Sequence, residues 1–283
     1  MGFDVQIFLC GGEFKSIYPA IKLTIALLSR FKTPLNTANR TLEQGKLYVI
    51  STPIGNMDDI TLRAMKTLGS VDVLACEDTR VTRKIFQRHE IDFPAKVVSY
   101  HEHNEEYAGE KILEMLRNGL IVGLCSDAGT PCISDPGYRV VSAALDGGFK
   151  VEVIPGVSAI TSALAMAGLP TSSFTYKGFP PRKSGARQRF FELEKELPHT
   201  LVFYESPYRV VKSLDDMLFV YGDRLATVCF ELTKKFERIH RGYLSVVIEE
   251  LKTKTIKGEI TIVVSGSNPK FLNDDPAVDD SEE

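Results

Sequence analysis

Residues 120–137 read LIVGLCSDAGTPCISDPG, an apolar run followed directly by a loop of small and polar residues. The run LIVGLCS has the length and composition of a buried β-strand. The loop after it exposes backbone N–H and C=O groups, which suit recognition of an adenine edge or an amino-acid headgroup, and Asp127 adds a carboxylate. A tight turn with purely structural hydrogen bonds is the alternative.

The same strand-and-loop pattern recurs on either side of this stretch. Strands are predicted at 47–51, 71–76, 96–100, 120–126 and 150–155, and helices at 61–68, 79–89, 104–117, 138–144 and 157–167. Strands that alternate with helices of this length form parallel βαβ units. The sequence therefore predicts an α/β domain over residues 45–168 with a mainly parallel sheet.

A cluster of Gly, Pro, Thr and Ser at 168–173 predicts a domain boundary. Strands are predicted beyond it in FTYKGF, TLVFYES, ATVCFEL and EITIVVSG, and helices at 186–197, 208–221 and 244–252. Their weaker alternation predicts a second α/β domain, residues 169–266, with a mixed sheet. The flanks are predicted to be a partly disordered N-terminal extension (1–44), with an organellar transit peptide as the alternative, and an acidic disordered tail (267–283).

Composition limits the class of protein. The 283 residues are 43% hydrophobic and 25% charged, as in a globular protein, with a net charge of -3. RNA binding would then depend on local basic clusters, because there is no overall positive field. Five scattered cysteines, none in a C-x-x-C pair, indicate a reducing cytoplasm. No apolar stretch has the length of a membrane span.

Two more loops follow predicted strands of the first domain. These are Ser51-Thr-Pro-Ile-Gly-Asn56 and Pro155-Gly-Val-Ser158, where Ser158 is a candidate helix cap. Neither contains G-x-G-x-x-G, and the chain has no G-x-x-x-x-G-K-[ST], so dinucleotide and P-loop nucleotide binding lose their main support. Since the carboxyl ends of parallel strands share one edge, the three loops predict one ligand crevice.

Charged residues also follow strands of the predicted second domain. Glu205 and Arg209 flank one strand-to-helix turn, and Lys234 and Glu237 lie in a second loop. Solvated caps and a catalytic role are equally good interpretations here. His101-Glu-His-Asn-Glu-Glu106 is interpreted as a polar turn before a helix and no metal is predicted, because no third His or Cys pair completes a ligand set.

Two basic segments have features of a phosphate-binding surface. One opens the helix after residue 79, and the other lies at 180–189, beside Phe179, Phe190 and Phe191. The predicted RNA-contacting residues are Arg80, Arg83, Arg182, Lys183, Arg187 and Arg189. Solvated helix starts explain both segments nearly as well.

Seven motifs occur in a characteristic order: TPIGN, EDTR, HEHNE, SDAGTP with ISDPG, FYESPYR, ELTKKFE and GEITIVV. With them the chain resembles the ribosomal RNA small subunit methyltransferase I family, in the tetrapyrrole methylase superfamily, over residues 45–266. The resemblance implies two α/β domains with S-adenosylmethionine in the cleft between them, and a homodimer. It also implies 2′-O-methylation of a cytidine in the decoding region of 16S ribosomal RNA.

The resemblance also assigns residues. The cofactor site would comprise Pro53, Gly55, Asp127, Ala128, Gly129, Pro131 and Ile133, with Ser158 and Gly258 nearby. Glu205 and Glu237, with Lys234 as runner-up, are the candidates for handling the proton of the acceptor hydroxyl, and Arg80 and Arg209 would orient a phosphate or ribose. Two alternatives stay open: a methyltransferase for a tetrapyrrole or a protein, and a ribosomal RNA-binding assembly factor without turnover.

Overall fold

A computed structural model describes residues 44–271, whose strands form two five-stranded sheets. The predicted extension therefore lies outside the described residues except for Gln44, as does the tail from residue 272. Residues 267–271, which are predicted as the start of the tail, include a 3-10 turn (Pro269–Phe271) whose Phe271 packs on the core.

The first sheet has the order β3-β2-β4-β1-β5 and is parallel throughout. Its strands are β1 (Lys46–Ile50), β2 (Val73–Cys76), β3 (Lys96–Ser99), β4 (Ile121–Cys125) and β5 (Lys150–Ile154). The helices are α1 (Leu62–Leu68), α2 (Thr79–Arg88), α3 (Glu105–Arg117), α4 (Tyr138–Asp146) and α5 (Ala159–Ala167). Because the strands are parallel, the loops after β1, β2, β4 and β5 leave the same edge of the sheet.

The second sheet has the order β6-β7-β10-β8-β9, with β6 and β7 parallel and the other pairs antiparallel. Its strands are β6 (Phe174–Tyr176), β7 (Thr200–Glu205), β8 (Leu225–Phe230), β9 (Arg238–Tyr243) and β10 (Ile260–Val264). The helices are α6 (Ser184–Glu192), α7 (Val210–Tyr221) and α8 (Leu244–Lys252). Two α/β domains, one parallel and one mixed, confirm the predicted fold class.

Helix α5 joins the two sheets. Its Leu164 and Ala167 pack in one apolar cluster with Val202 and Val263 of the second sheet. The second domain also satisfies the helix end, because Thr227 Oγ1 and Arg241 Nε donate to the carbonyl of Ala167 at 3.2 and 2.9 Å. Each buried leucine of such a cluster contributes roughly 1.5–3 kcal/mol, so the loops of both domains are held in fixed relation.

Strand β9 is absent from the sequence prediction. It is an edge strand in which Arg238, His240 and Arg241 break the apolar alternation that marks a strand. No helix within residues 44–271 is long and apolar enough to span a bilayer.

Candidate functional site

A cleft of about 420 Å³ lies where the strand-end loops of the first domain meet the second domain. Two loops of the first domain, those after β1 and β4, are joined by an isolated bridge. Thr52 N donates to Gly129 O at 2.8 Å, and Gly129 N donates back to Thr52 O at 3.1 Å. The Ser51 and Thr130 hydroxyls add a 2.9 Å hydrogen bond between the same loops. The wall of the cleft is therefore rigid backbone.

The opposite wall comes from the loop before β10. Gly258 has φ +87°, and a Cβ there would approach the Glu231 carboxylate to 2.3 Å. That carboxylate is held in place, since it accepts from Glu259 N at 2.8 Å and from Lys234 Nζ at 2.9 Å. Glycine is thus required both by backbone conformation and by space.

The loop after β1 contacts the second domain at the ion-paired Lys234. A Cβ on Gly55 would meet Lys234 Cγ at 2.3 Å, and Asn56 N donates to Thr233 Oγ1 at 3.1 Å. Lys234 also pairs with Glu259 at 3.0 Å. Lys234 therefore packs against the loop after β1, and the hydrogen bond to Thr233 links that loop to the second domain.

Backbone strain is concentrated beside this cleft. Four non-glycine residues with positive φ, Cys132, Ser134, Glu231 and Thr233, lie in the two loops that follow β4 and β8. Such conformations cost about 1–3 kcal/mol each and persist where the surroundings over-determine them, commonly at ligand sites.

The cleft is lined by carboxylates and by no lysine or arginine. Burial and, after it, the neighbouring charge of Glu77 raise the pKa of Asp135 to about 6. Burial likewise raises the pKa values of Asp127 and Glu77. Glu259 and Glu205 complete the acidic lining, and Glu205 is paired with Arg209. Such a site favours a ligand that carries positive charge.

Apolar and aromatic side chains complete the walls. Ile54, Ile133 and Ile260 line the cleft together with Phe179 and Tyr204, whose ring centroids lie 5.6 Å apart. Flat apolar walls with a few fixed polar groups are typical of sites for small organic ligands.

Glu205 lies at the second-domain side of the cleft, but its carboxylate is fully engaged. Oε1 accepts from Arg209 Nη2 at 2.5 Å and from Ser206 N at 2.7 Å, and Oε2 accepts from Ser213 Oγ at 2.5 Å. Because every oxygen already has a donor, this geometry favours a positioning role over proton transfer.

Six of the nine predicted cofactor residues line the cleft. They are Asp127, Ala128, Gly129, Ile133, Ser158 and Gly258. Asp127 also accepts from Asp78 N at 3.0 Å, and Ser158 caps α5 through a 3.3 Å bond from Ile160 N. The remaining three, Pro53, Gly55 and Pro131, lie in the same loops without lining the cleft.

The other proton-handling candidates lie outside the cleft lining. Glu237 is exposed, and its Oε2 accepts from Thr233 N at 2.7 Å. Lys234 is engaged by Glu231 and Glu259. Both geometries are those of loop-bracing contacts.

A second cleft of about 680 Å³ opens beside the first and shares Phe179 and Ser206 with it. Its other lining residues are Pro180, Pro181, Arg182, Tyr208 and Arg209. No carboxylate lines it, whereas two arginines do. Its charge is therefore opposite to that of the first cleft.

The structure separates the six predicted RNA-contacting residues. Arg187 is 3% exposed and forms an ion pair with Asp216, with Nε 2.7 Å from Oδ2. The prediction of RNA contact is therefore wrong for Arg187, whose role is to hold α6 on α7. Arg182, Lys183 and Arg189 are exposed.

Arg80 and Arg83 are exposed on α2 and already contact neighbours. Arg80 Nη2 pairs with Asp78 at 2.7 Å, and this contact holds the pKa of Asp78 at about 2. The Arg83 guanidinium lies 4.1 Å from the ring centroid of Phe93.

Sequence analysis missed several lining residues: Glu77, Ser134, Asp135, Tyr204 and Glu259. Asp135 lies in the ISDPG segment, so its position after a strand was a usable signal. Tyr204 lies in the FYESPYR motif, but the pattern does not show which face of its strand is turned to the cleft. Among the described residues, no three His, Cys, Asp or Glu side chains are grouped as metal ligands.

Comparison with known proteins identifies the class of this fold and site. The family model of the Tetrapyrrole (Corrin/Porphyrin) Methylases matches residues 46–247. The structure of the methyltransferase CobJ superposes with a TM-score of 0.61 at 17% identity, covering 79% of this chain and 95% of that one. A uroporphyrin-III C-methyltransferase from Thermus thermophilus, complexed with S-adenosylhomocysteine, gives 0.55 at 21% identity, covering 78% and 97%. The chain belongs to the tetrapyrrole methylase family.

Within this family the chain groups with proteins named Ribosomal RNA small subunit methyltransferase I, as its motifs predict. It is 45% identical to the one from Halalkalibacterium halodurans, over 81% of this chain and 78% of the relative. Identity to those of Bacillus subtilis and Thermotoga maritima is 42%, over 84% and 78% of this chain and 80% and 99% of the relatives.

Proposed function

We propose that this protein transfers a methyl group from S-adenosylmethionine to the ribose 2′-oxygen of a cytidine in the decoding region of 16S ribosomal RNA. The observation that carries the proposal is the pair of adjoining clefts with opposite charge. The names of the relatives support a small-subunit ribosomal RNA as the acceptor. The proposed partner is the assembled small subunit in the cytoplasm, with the enzyme acting as a homodimer.

The first cleft, the one lined by carboxylates, fits the cofactor. S-adenosylmethionine carries a sulfonium and an ammonium against one carboxylate, so a cleft lined by Asp127, Asp135 and Glu77 without basic residues matches its charge. Ile54 and Ile133 supply apolar surface for the adenine, and the tight backbone at Gly129 lets the ligand approach. When bound, the cofactor supplies an electrophilic methyl group.

The protein's own residues would act mainly by positioning. The bridge between Thr52 and Gly129 fixes one wall, and the Glu205–Arg209 pair fixes the loop that faces the acceptor. Holding two reactants in line removes most of the entropic part of a barrier, whereas a base adds about 10²–10⁴-fold. In this proposal Glu205 and Arg209 hold the loop after β7, which faces the acceptor. Lys234 and Glu237 brace the loop after β8 beside the cleft.

Substitution separates positioning by Glu205 from proton transfer. We expect Glu205→Gln to lower kcat/KM for subunits with an unchanged pH profile, because the amide keeps part of the contact network but weakens the pair with Arg209. Loss of the acidic limb of the profile in Glu205→Gln would instead make Glu205 the proton acceptor, because a general base must be deprotonated to act. Glu249→Gln is the matched control, since Glu249 is an exposed carboxylate of the same domain that lines neither cleft.

The proposal is tested with radiolabelled S-adenosylmethionine and three acceptors in parallel. Small subunits that lack the modification, naked 16S RNA and a corrin precursor are each incubated with the enzyme. The expected result is label on a cytidine ribose of the subunits. Label on the corrin alone, or bound cofactor without transfer to any acceptor, would contradict the proposed function.

A further inference from the structure

The second cleft presents aromatic surface to solvent at the mouth of the first. Tyr208 is 91% exposed and Phe179 is 54% exposed, although both line this one cleft. No described side chain stacks on Tyr208 or bonds its hydroxyl, whereas the Phe179 ring is supported from behind by Tyr204. Adjacent exposed rings that form a cleft mark an interaction site more strongly than single exposed rings.

The wall between these rings is rigid because of Arg209. Its Nη1 donates to the carbonyl of Pro180 at 3.1 Å and its Nε to Ser206 Oγ at 3.2 Å, while Glu205 neutralises its charge. The arginine thus ties the loop after β6 to the loop after β7. Because these two loops are already held together, less backbone entropy is lost when a ligand enters between them.

Arg182 supplies the free charge at this cleft. Its side chain is exposed and has no ion-pair partner among residues 44–271. No carboxylate lines the cleft that could neutralise it. A guanidinium with open donors beside aromatic rings matches a phosphate attached to a flat base.

We propose that this cleft holds one unstacked nucleotide of the RNA acceptor, with its base against Tyr208 and Phe179 and a phosphate on Arg182. This assignment rests on the proposed function and adds the residues that select a nucleotide. The ribose then lies near Phe179 and Ser206, the two residues common to both clefts, where the acceptor faces the methyl donor. Enzymes that modify a nucleotide commonly extrude it into such a pocket.

The test is steady-state methyl transfer to unmodified small subunits at saturating S-adenosylmethionine. Tyr208→Ala and Phe179→Ala are each expected to lower kcat/KM for subunits by about 5- to 150-fold, the range for loss of one base–aromatic stack. Tyr208→Phe should restore near-normal transfer, because stacking requires the ring and not the hydroxyl. Cofactor affinity of Tyr208→Ala, measured by calorimetry, should stay within about twofold of wild type, because Tyr208 lines only the second cleft.

Phe219→Ala is the matched control, since Phe219 is a 77% exposed aromatic of the same domain that lines neither cleft. The proposal is overturned if Tyr208→Ala and Phe219→Ala transfer equally well to subunits. It is also overturned if the two cleft variants lose transfer to a corrin precursor but not to subunits. A wild-type enzyme that binds cofactor and methylates no subunit would refute the proposed function itself, which distinguishes the two failures.

Discussion

The two adjoining clefts differ in charge and in the way they are built. The first is lined by carboxylates, including Asp127 and Asp135, and by no basic residue. The second is lined by Arg182 and Arg209 with exposed aromatic rings, and by no carboxylate. This difference in charge would attract a cationic methyl donor to the first cleft and an anionic acceptor to the second before any specific contact forms.

The first cleft depends on backbone and the second on side chains. Bridged strand-end loops and glycines with positive φ, Gly129 and Gly258, form the walls of the first cleft. The second is shaped by the contacts of Arg209 with two loops. Ligand binding in the first cleft should therefore be weakened by substitutions that add side-chain atoms. Binding in the second cleft should be weakened by substitutions that remove them.

The largest expected effect concerns a basic residue that belongs to neither cleft. Asp216→Ala leaves the Arg187 guanidinium buried without its partner, which typically costs about 3–5 kcal/mol. Urea unfolding should show this loss of stability. Arg189 lies at an exposed position of α6, the helix that carries Arg187. Arg189→Ala should therefore change the free energy of unfolding by no more than about 0.5 kcal/mol. If Asp216→Ala and Arg189→Ala changed the stability equally, the structural role of Arg187 would be contradicted and RNA contact would again be its predicted role.

Adding one methyl group should disable the first cleft. We expect Gly258→Ala to weaken S-adenosylmethionine binding at least about tenfold, because φ +87° is strained for alanine and its Cβ would displace the Glu231 carboxylate. Calorimetry measures this affinity. Gly222→Ala is the control, since Gly222 has φ +80° with nothing within 4 Å of a Cβ. Both variants should lose stability, and only Gly258→Ala should lose affinity.

The charge of the first cleft can be titrated. Ionised Asp135 attracts a sulfonium, so affinity for S-adenosylmethionine should fall as the pH drops through about 6, where this carboxyl becomes protonated. Asp135→Asn should lower the affinity for S-adenosylmethionine by about 3- to 10-fold and remove that pH dependence. S-adenosylhomocysteine lacks the sulfonium charge and serves as the control ligand. An equal loss for both ligands would contradict the charge argument.

Ionised Asp135 should also destabilise the cofactor-free fold. Its pKa is raised in the folded protein, so stability is greatest below the pKa of the unfolded chain and falls as the pH rises through about 6. Asp135→Asn should consequently raise the melting temperature at pH 7.5 more than at pH 5. The opposite order would contradict the assigned pKa direction.

The smallest expected effect is on the salt dependence of subunit binding. Arg182→Gln should reduce the slope of log K against log salt by about 1, because one phosphate contact is lost. Arg117→Gln is the control, since Arg117 is an exposed cation at the end of α3 in the first domain. An unchanged slope for Arg182→Gln would contradict the proposed contact between Arg182 and a phosphate in the second cleft.

The first domain could be predicted from the sequence because its buried strands are uninterrupted apolar runs, as in β4. Strand β9 could not, since edge strands tolerate residues such as Arg238 and Arg241. The first cleft was partly predictable because parallel strands bring their end loops together. The burial of Arg187 was not, because its partner Asp216 lies on another helix and no local pattern encodes that pairing.

The most direct test of the account is a kinetic comparison of Asp135→Asn and Tyr208→Ala, with S-adenosylmethionine and unmodified small subunits varied in turn. We expect Asp135→Asn to raise KM for the cofactor and to leave KM for subunits unchanged, whereas Tyr208→Ala should raise KM for subunits and leave KM for the cofactor unchanged. If both variants change the same parameter, or neither changes any, the assignment of donor and acceptor to separate clefts is contradicted.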